Sequence, residues 1–525
     1  MMEKRVFLAA LLSALFLAWY AQTMQRWARP ATPPPQAGSP AAKAQESQGP
    51  EAPRTVLQPL ADEETVAIDS SSLALEIGTR SGAIRRVVLK NFTETQGTEQ
   101  LRFGGQYPVL GFRVGETPPV FRLLETSKSS ARLSVNEHYH LSFSLDEDNP
   151  LVHIILEHVH LVEDDTADSL TVTAAWSPGD ELTSRYNSLE LFMLAKKNGG
   201  KTKHLRYQGP FKTEKIVPRG TMLLALAERY FCQAIQLERE AEEVRLAPSP
   251  SGVIAAELRL PTVGSTERLS VYFGPRDFFK LKEAGFDRAF PIGVLGQIGL
   301  ALLVVLGGFS KLTHNYGLGI ILFSGLITGL MAPFTILSYK SMKKMQELKP
   351  HIDRLTAKYK SDPQRANREV FALYKTHRVS PMSGCLPMLL QMPIFIALFQ
   401  AISHYIDLRG KGFLWIKDLS LPDRLGELPI SLPLLGKELN ALPIVMAAAM
   451  FLQSKMSQVQ PPSDQSNPAA KLLSGPFMSV IFCLMFYQFP SGLVLYWLTN
   501  SLMSLGLYQL SRGQVQADPG RPGAS

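Results

Sequence analysis

Residues 381–401 read PMSGCLPMLLQMPIFIALFQA. From Cys385 to Ile402 the run is apolar and nearly long enough to cross a bilayer, which takes roughly 20 residues. Inside it stand Gln391 and two prolines, Pro387 and Pro393. Pro387, Gln391, Ile394, Phe395 and Leu398 follow i, i+3, i+4 spacing, which predicts a spanning helix with an amide on one stripe. A polar side chain at membrane depth normally faces a bundle interior or a wet cavity. One glutamine alone reads as a helix–helix hydrogen bond, and only its surroundings can give it more weight.

The chain has 525 residues, enough for several domains. Its charged fraction of 19 % is lean for a soluble protein of this size. Apolar runs sit at the N-terminus and after residue 290, with a water-soluble pattern between them. The net charge of +8 is concentrated beside the apolar runs, where it sets membrane orientation and does not point to nucleic acid. Cys232, Cys385 and Cys483 are scattered, with neither disulfide-framework nor metal-ligand spacing.

Residues 1–28 combine Lys4 and Arg5 with VFLAALLSALFLAWY, and predict an uncleaved signal-anchor helix with its N-terminus in the cytoplasm. A cleavable signal peptide would want small residues where AWYAQTMQRW stands. Residues 29–60, rich in Pro, Ala, Gln, Ser and Gly, predict a disordered linker. Residues 61–285 alternate with period two: Leu73, Leu75 and Ile77 on one face; Tyr139, Leu141, Phe143 and Leu145 opposite His138, His140, Ser142 and Ser144; then Leu170, Val172, Ala174 and Trp176. With turn signals at 146–150, 177–180 and 198–201, this predicts an exported β-sandwich. The pairs His138/His140 and His158/His160 have HxH spacing but fall on polar strand faces without a supporting ligand, so a solvated face is expected. Residues 199–202, GGKT, lack the earlier glycine of a phosphate loop, Ala195 standing in its place.

Beyond residue 285 the chain divides into an interfacial helix at 286–315, a span at 316–338 and a basic helical hairpin at 339–383. The apolar stripe Met345, Leu348, Ile352, Leu355, Tyr359 is followed by the stop Ser361-Asp362-Pro363 and by a second stripe, Val370, Leu373, His377. Further spans are expected at 384–406, 439–457, 473–489 and 491–510, with an exported loop at 407–438, a cytoplasmic loop at 458–472 and a cytoplasmic tail at 511–525. The positive-inside rule places the hairpin and both termini in the cytoplasm, giving six spans.

Polar groups recur at depth: Ser324 and Thr328 four residues apart, Gln391, Gln488, Thr499 and Asn500. No nucleophile with a base, acid–base pair, metal set or phosphate loop accompanies them, so no enzyme and no cofactor is predicted. Short uncharged polar side chains suit a wet groove that binds many sequences weakly. A transporter or channel is the alternative, and it should show paired charges and an inverted repeat.

GCLPMLLQMPIFIALF (384–399), FPSGLVLYW (489–497), YKSMKKMQELKP (339–350) and VSPMSGC (379–385) together resemble the YidC-type membrane protein insertases. LALEIGTRSG (73–82), AERYFCQAI (227–235) and VYFGP (271–275) resemble the Gram-negative form with a large periplasmic domain. The resemblance implies an α-helical polytopic inner-membrane protein with a five-helix insertase core, plus an all-β periplasmic sandwich. It further implies a hydrophilic groove open to cytoplasm and lipid, and a substrate site at Ser324, Thr328, Gln391, Phe395, Tyr496, Trp497 and Asn500. Thr328 stands where the family usually has arginine. The implied partners are nascent membrane proteins and the Sec translocon, while the charge of the basic hairpin by itself predicts contact with anionic lipid or the ribosome.

Overall fold

Alternation along Tyr139–Leu145 does what the pleat requires. Tyr139, Leu141, Phe143 and Leu145 are buried, and the side chains between them reach the surface. The strand belongs to a sheet seen in a computed structural model. That structure describes residues 60–516 except 94–99, 106, 115–118, 120, 136–138, 159–169, 177–188, 197–201, 210, 212–213, 248–252, 261–265, 378, 380–385, 433–434 and 458–474. The expected anchor 1–28, nearly all of the linker, the loop at 458–472, the end of the tail, and the side chains of His138, His158, His160, Cys385 and Pro387 lie outside the described residues. The chain divides into two compact units at Pro291/Ile292.

The first unit is β-rich. Sixteen described strands, Thr65–Asp69 (β1) to Glu267–Pro275 (β16), form one hydrogen-bonded network. The network becomes a sandwich through one long strand, Phe231–Ala247 (β14). One edge of β14 pairs with Lys215–Ala227 (β13) along most of its length. On the other edge, Phe231–Leu237 pair with β16, and Glu243–Ala247 pair with Ile254–Leu260 (β15). Two arms therefore leave the same edge of one strand, one running from β15 to β1 and the other from β16 to Phe121–Thr126 (β6). Between the two pairings, the register of β13 slips around Gly220. That glycine has φ 112°, and any Cβ there would lie 2.6 Å from the carbonyl of Lys196.

The arms face each other across an aromatic core. Phe112 and Phe143 meet at 5.8 Å, and Phe103 lies 4.5 Å from Trp176 and 5.8 Å from Phe231. Backbone bonds join their ends, from Asp69 N–H to Lys128 O at 2.6 Å and from Phe121 N–H to Arg80 O at 3.1 Å. Leu170–Trp176 (β10) departs from strict alternation: Thr171 and Ala175 are buried along with Leu170, Val172, Ala174 and Trp176, so both of its faces are covered. A short helix, Phe278–Glu283 (α1), closes the unit. It starts where Asp277 accepts from the N–H groups of Phe279 and Lys280 at 2.9 and 3.2 Å.

Two groups in this unit make checkable expectations. Glu63 accepts from the Ser81 hydroxyl at 2.6 Å, the Arg80 and Ser81 N–H groups at 2.8 Å each, and the Arg85 guanidinium at 3.1 Å. Burial pulls its pKa up, but these partners outweigh burial and leave it below the ordinary glutamate range. A depressed folded-state pKa means stability that is present above the ordinary value and lost as pH falls through the lowered one. Glu63→Gln is expected to flatten the acid limb of stability against pH in urea unfolding, and an unchanged limb would refute this. Cys232 is fully buried, which pushes its thiol up to about 12 despite the opposing charge of Arg276. Maleimide at neutral pH is expected to leave Cys232 unlabelled until the chain is unfolded, as read by mass spectrometry of its peptide.

The second unit is helical. Val294–Thr313 (α2) and Tyr316–Lys358 (α3) are both long and apolar enough to cross a membrane. Only His314 and Asn315 separate them. His314 makes the turn by adopting a left-handed φ of 52°, and Asn315 caps α3 by accepting from Leu318 N–H at 3.1 Å. Gly319 allows close packing: a Cβ there would meet the Ser310 backbone at 3.0 Å. α3 runs without a break across the boundary expected at residue 338, so span and basic hairpin share one 43-residue helix.

Pro363–Thr376 (α4) starts with proline in its first turn, and Asp362 accepts from Arg365 N–H at 3.0 Å. Val370 and Tyr374 of α4 pack on Met345, Leu348 and Ile352 of α3. His377 is exposed, bonding to Leu373 O at 3.0 Å, so the second apolar stripe runs through Tyr374 and not His377. Leu386–Ser403 (α5), Ala441–Ser457 (α6), Gly475–Phe486 (α7) and Ser491–Gln516 (α8) complete the described α-helices of the unit, α8 continuing six residues into the expected tail.

Candidate functional site

α3 is apolar on two sides, for different reasons. Ile320, Phe323, Ser324, Ile327 and Thr328 face inward, while Leu318, Leu322, Leu326, Leu330, Phe334 and Leu337 point outward and are exposed. Outward apolar side chains recur on α6 (Ile444, Val445, Phe451, Leu452) and α7 (Phe477, Val480, Ile481, Leu484). A water-soluble unit would not carry so much exposed apolar surface, whereas a lipid-facing one requires it.

The inward side holds a polar seam. Ser324 is fully buried and donates to Ile320 O at 2.7 Å; its hydroxyl also lies 3.5 Å from Tyr496 O on α8. Gln391 of α5 donates through Nε2 to the Tyr496 hydroxyl, which also meets Asn500 one turn further along α8. Asn500 in turn accepts from Ser504 at 3.5 Å. Three helices that are distant in sequence thus contribute to one hydrogen-bonded line. Beside it lies an aromatic wall: Phe395 of α5 meets Trp497 edge-on at 5.1 Å and Phe486 at 5.5 Å, and Trp497 stands 5.6 Å from Phe482. The expected residues therefore come together, but as a packed seam, with the Tyr496 ring filling the space against Phe323 at 5.8 Å.

Thr328 is the exception. It is 6 % exposed, and its hydroxyl has no partner among the described residues. An unmade bond on a buried hydroxyl costs about 1–3 kcal/mol. Thr328→Val keeps the shape and removes that hydroxyl, so it is expected to be neutral or stabilising by about 1 kcal/mol, read as Tm in detergent. A loss of stability would show that the hydroxyl is satisfied.

Sequence patterns missed the cap at one end of the helices. Residues 407–438 read as a simple exported loop, yet Asp418 and Asp423 are buried in it, as is Asn440 just beyond. Asp423 accepts from Ala441 and Leu442 N–H at 2.9 Å each, so a carboxylate remote in sequence caps α6. The Asn440 amide donates to Tyr487 O at 2.7 Å, and the Tyr487 hydroxyl donates to Glu438 O at 2.9 Å. At the start of α8, Ser491 and Gly492 N–H donate to Leu421 and Leu419 carbonyls at 2.8 Å each. The only hint in the sequence was the spacing of Asp418 and Asp423 ahead of Asn440, and no periodicity marks it.

Among the described residues no group of side chains could hold a metal ion. Together these features define a two-part protein: a β-rich unit, and a helical unit with lipid-type outer faces, an internal polar seam and a hydrogen-bonded cap. Residues 308–517 match the family model described as 60Kd inner membrane protein. The chain is similar to the membrane protein insertase YidC of Pelobacter propionicus, 36 % identical over 302 residues that cover 56 % of this chain and 54 % of the relative. It is similar to that of Endomicrobium trichonymphae, 40 % identical over 240 residues that cover 45 % of this chain and 44 % of the relative. The chain spans about half the length of the curated relatives it matches. A crystal structure of an active YidC insertase with its first transmembrane domain resolved aligns over 86 % of this chain and 93 % of that one, at 18 % identity and TM-score 0.38. The resemblance seen in the sequence motifs is thus to the YidC-type insertases.

Proposed function

We propose that this chain is a membrane protein insertase and chaperone of the bacterial inner membrane, inserting nascent proteins alone or with the Sec translocon. The observation that carries this is the polar seam Ser324–Tyr496–Gln391 beside the Phe395–Trp497 wall, in helices whose outer faces are apolar. A charge at mid-bilayer costs at least about 2.5–3.5 kcal/mol per residue. Parting α3 and α5 from α8 would expose hydroxyl and amide groups to a client's polar flank, while its apolar face moves sideways into lipid. Burial at about 0.8 kcal/mol per CH₂ supplies the drive, so no nucleotide and no covalent step is required. In this reading Ser324, Thr328, Gln391, Phe395, Tyr496, Trp497 and Asn500 line the substrate path. The cap at 407–440 supports closure at the far end.

The proposed topology has six spans, both termini in the cytoplasm and the β-rich unit in the periplasm, with α2 lying at the interface. The α3–α4 hairpin then meets anionic lipid or the ribosome. The test uses purified protein in otherwise empty liposomes, given a small single-span client with a short, weakly charged outer tail. Protease protection of the tail without nucleotide, lost when Phe395 and Trp497 are replaced by charged residues, is the expected result. Binding without protection would reduce the chain to a chaperone, and solute flux instead of protection would favour a transporter.

A further inference from the structure

Two protrusions on the cap carry exposed large apolar side chains, Leu414 and Trp415 on one and Leu425 on the other. Phe413 and Ile416 exchange backbone hydrogen bonds at 2.8 and 2.9 Å, making Leu414 and Trp415 the tip of a two-residue turn. Leu414 sits at φ 53°, which glycine adopts freely and leucine does not, and it is 77 % exposed. A turn needed only to reverse the chain would favour glycine there. Nearby, Arg424 has φ 38° and is followed by exposed Leu425. The Trp415 indole N–H donates to Asp423 Oδ2 at 3.3 Å, tying the two protrusions together. Lys411 and Lys417 flank the tip and are exposed, and Arg424 pairs with Glu438 at 3.0 Å.

We infer that Leu414, Trp415 and Leu425, with Lys411 and Lys417, form an anchor that seats the cap in the headgroup region of the adjoining bilayer leaflet. This rests on the membrane reading above. The occupant follows from position and chemistry. Phe413 packs on Gly317 in the first turn of α3, so the tip adjoins the start of the outward stripe Leu318, Leu322. A ring with an apolar body and a polar N–H, flanked by lysines that keep their charge in water, is suited to a membrane interface. Three apolar side chains are too few for a stable protein interface, which needs about 800 Å² per partner.

The test reconstitutes the full chain in phosphatidylcholine–phosphatidylglycerol vesicles. The Trp415 signal is the difference in emission between the wild type and Trp415→Phe. Expected are a blue-shifted component, shielded from aqueous iodide, and quenched more by lipids brominated near the headgroup than near the terminal methyl. Leu414→Gly should keep the Tm in detergent or raise it while weakening that quenching. If the chain floats with vesicles after alkaline extraction yet Trp415 is quenched by iodide and not by bromolipid, the anchor is overturned and the membrane reading stands. Shielding from iodide that persists in detergent, without bromolipid quenching, would mean a protein contact and also overturn it. A chain that fails to float would overturn both.

Discussion

Arg276→Met is expected to destabilise the β-rich unit by about 3 kcal/mol, the low end of the loss that follows removal of one partner from a buried ion pair, because Arg206 stays with Glu190. The Arg276 side chain is 12 % exposed and that of Glu190 is 5 % exposed, with their charged groups 3.0 Å apart. Arg276 also donates to Glu228 O at 3.3 Å and stacks over the rings of Phe192 at 4.9 Å and Phe290 at 4.5 Å. Methionine fills part of that slot but leaves Glu190 with Arg206, whose side chain is half exposed and holds the carboxylate from the solvent side. The double variant Glu190→Leu/Arg276→Met removes both charges and should recover much of the loss. Urea unfolding of the full chain, followed by the emission of buried Trp176, measures both. A single-variant loss under about 1 kcal/mol, the range of an exposed pair, would show that the pair is effectively solvated.

Asp423→Ala is expected to have a comparable effect, about 2–4 kcal/mol, because it leaves two helix-start donors and the Trp415 indole without their acceptor. Asp423→Asn retains a side-chain oxygen and should lose less. The loss should be local: hydrogen exchange at Ala441 and Leu442 is expected to accelerate strongly while the middle of α3 keeps its protection. Equal acceleration in both places would mean that the cap is not a separate element but part of the general stability of the helices.

Much of this architecture is legible locally. The alternation from Tyr139 to Leu145 specifies a buried face because successive strand side chains point to opposite sides. Asp362-Pro363 specifies a helix start because proline needs no N–H there and aspartate accepts one. At 377 the same reasoning failed. Three- and four-residue steps allow either Tyr374 or His377 on the stripe, and packing against Met345 and Leu348 selects Tyr374. In the candidate site, polar residues placed at depth were visible as exceptions in apolar runs, so Gln391 and Ser324 could be found. Which of them pair could not, since Gln391 and Tyr496 are 105 residues apart.

The sequence by itself determined the strand or helix type where its periodicity is strong, as at Tyr139–Leu145 and at residues 345–352, the division into a β-rich part and an apolar helical part, and the polar residues that interrupt the helices. All of these rest on periodicity, capping and solvation, which act over a few residues. Only the tertiary structure decided that two sheet arms leave one edge of β14 around a slip at Gly220, and that Asp423 caps a helix starting eighteen residues later. It also decided that Thr328 is buried without a partner while Ser324, one turn away, has two carbonyls within reach. Those outcomes depend on which distant surfaces meet, and a hydroxyl or carboxylate has the same local pattern whether or not a partner arrives.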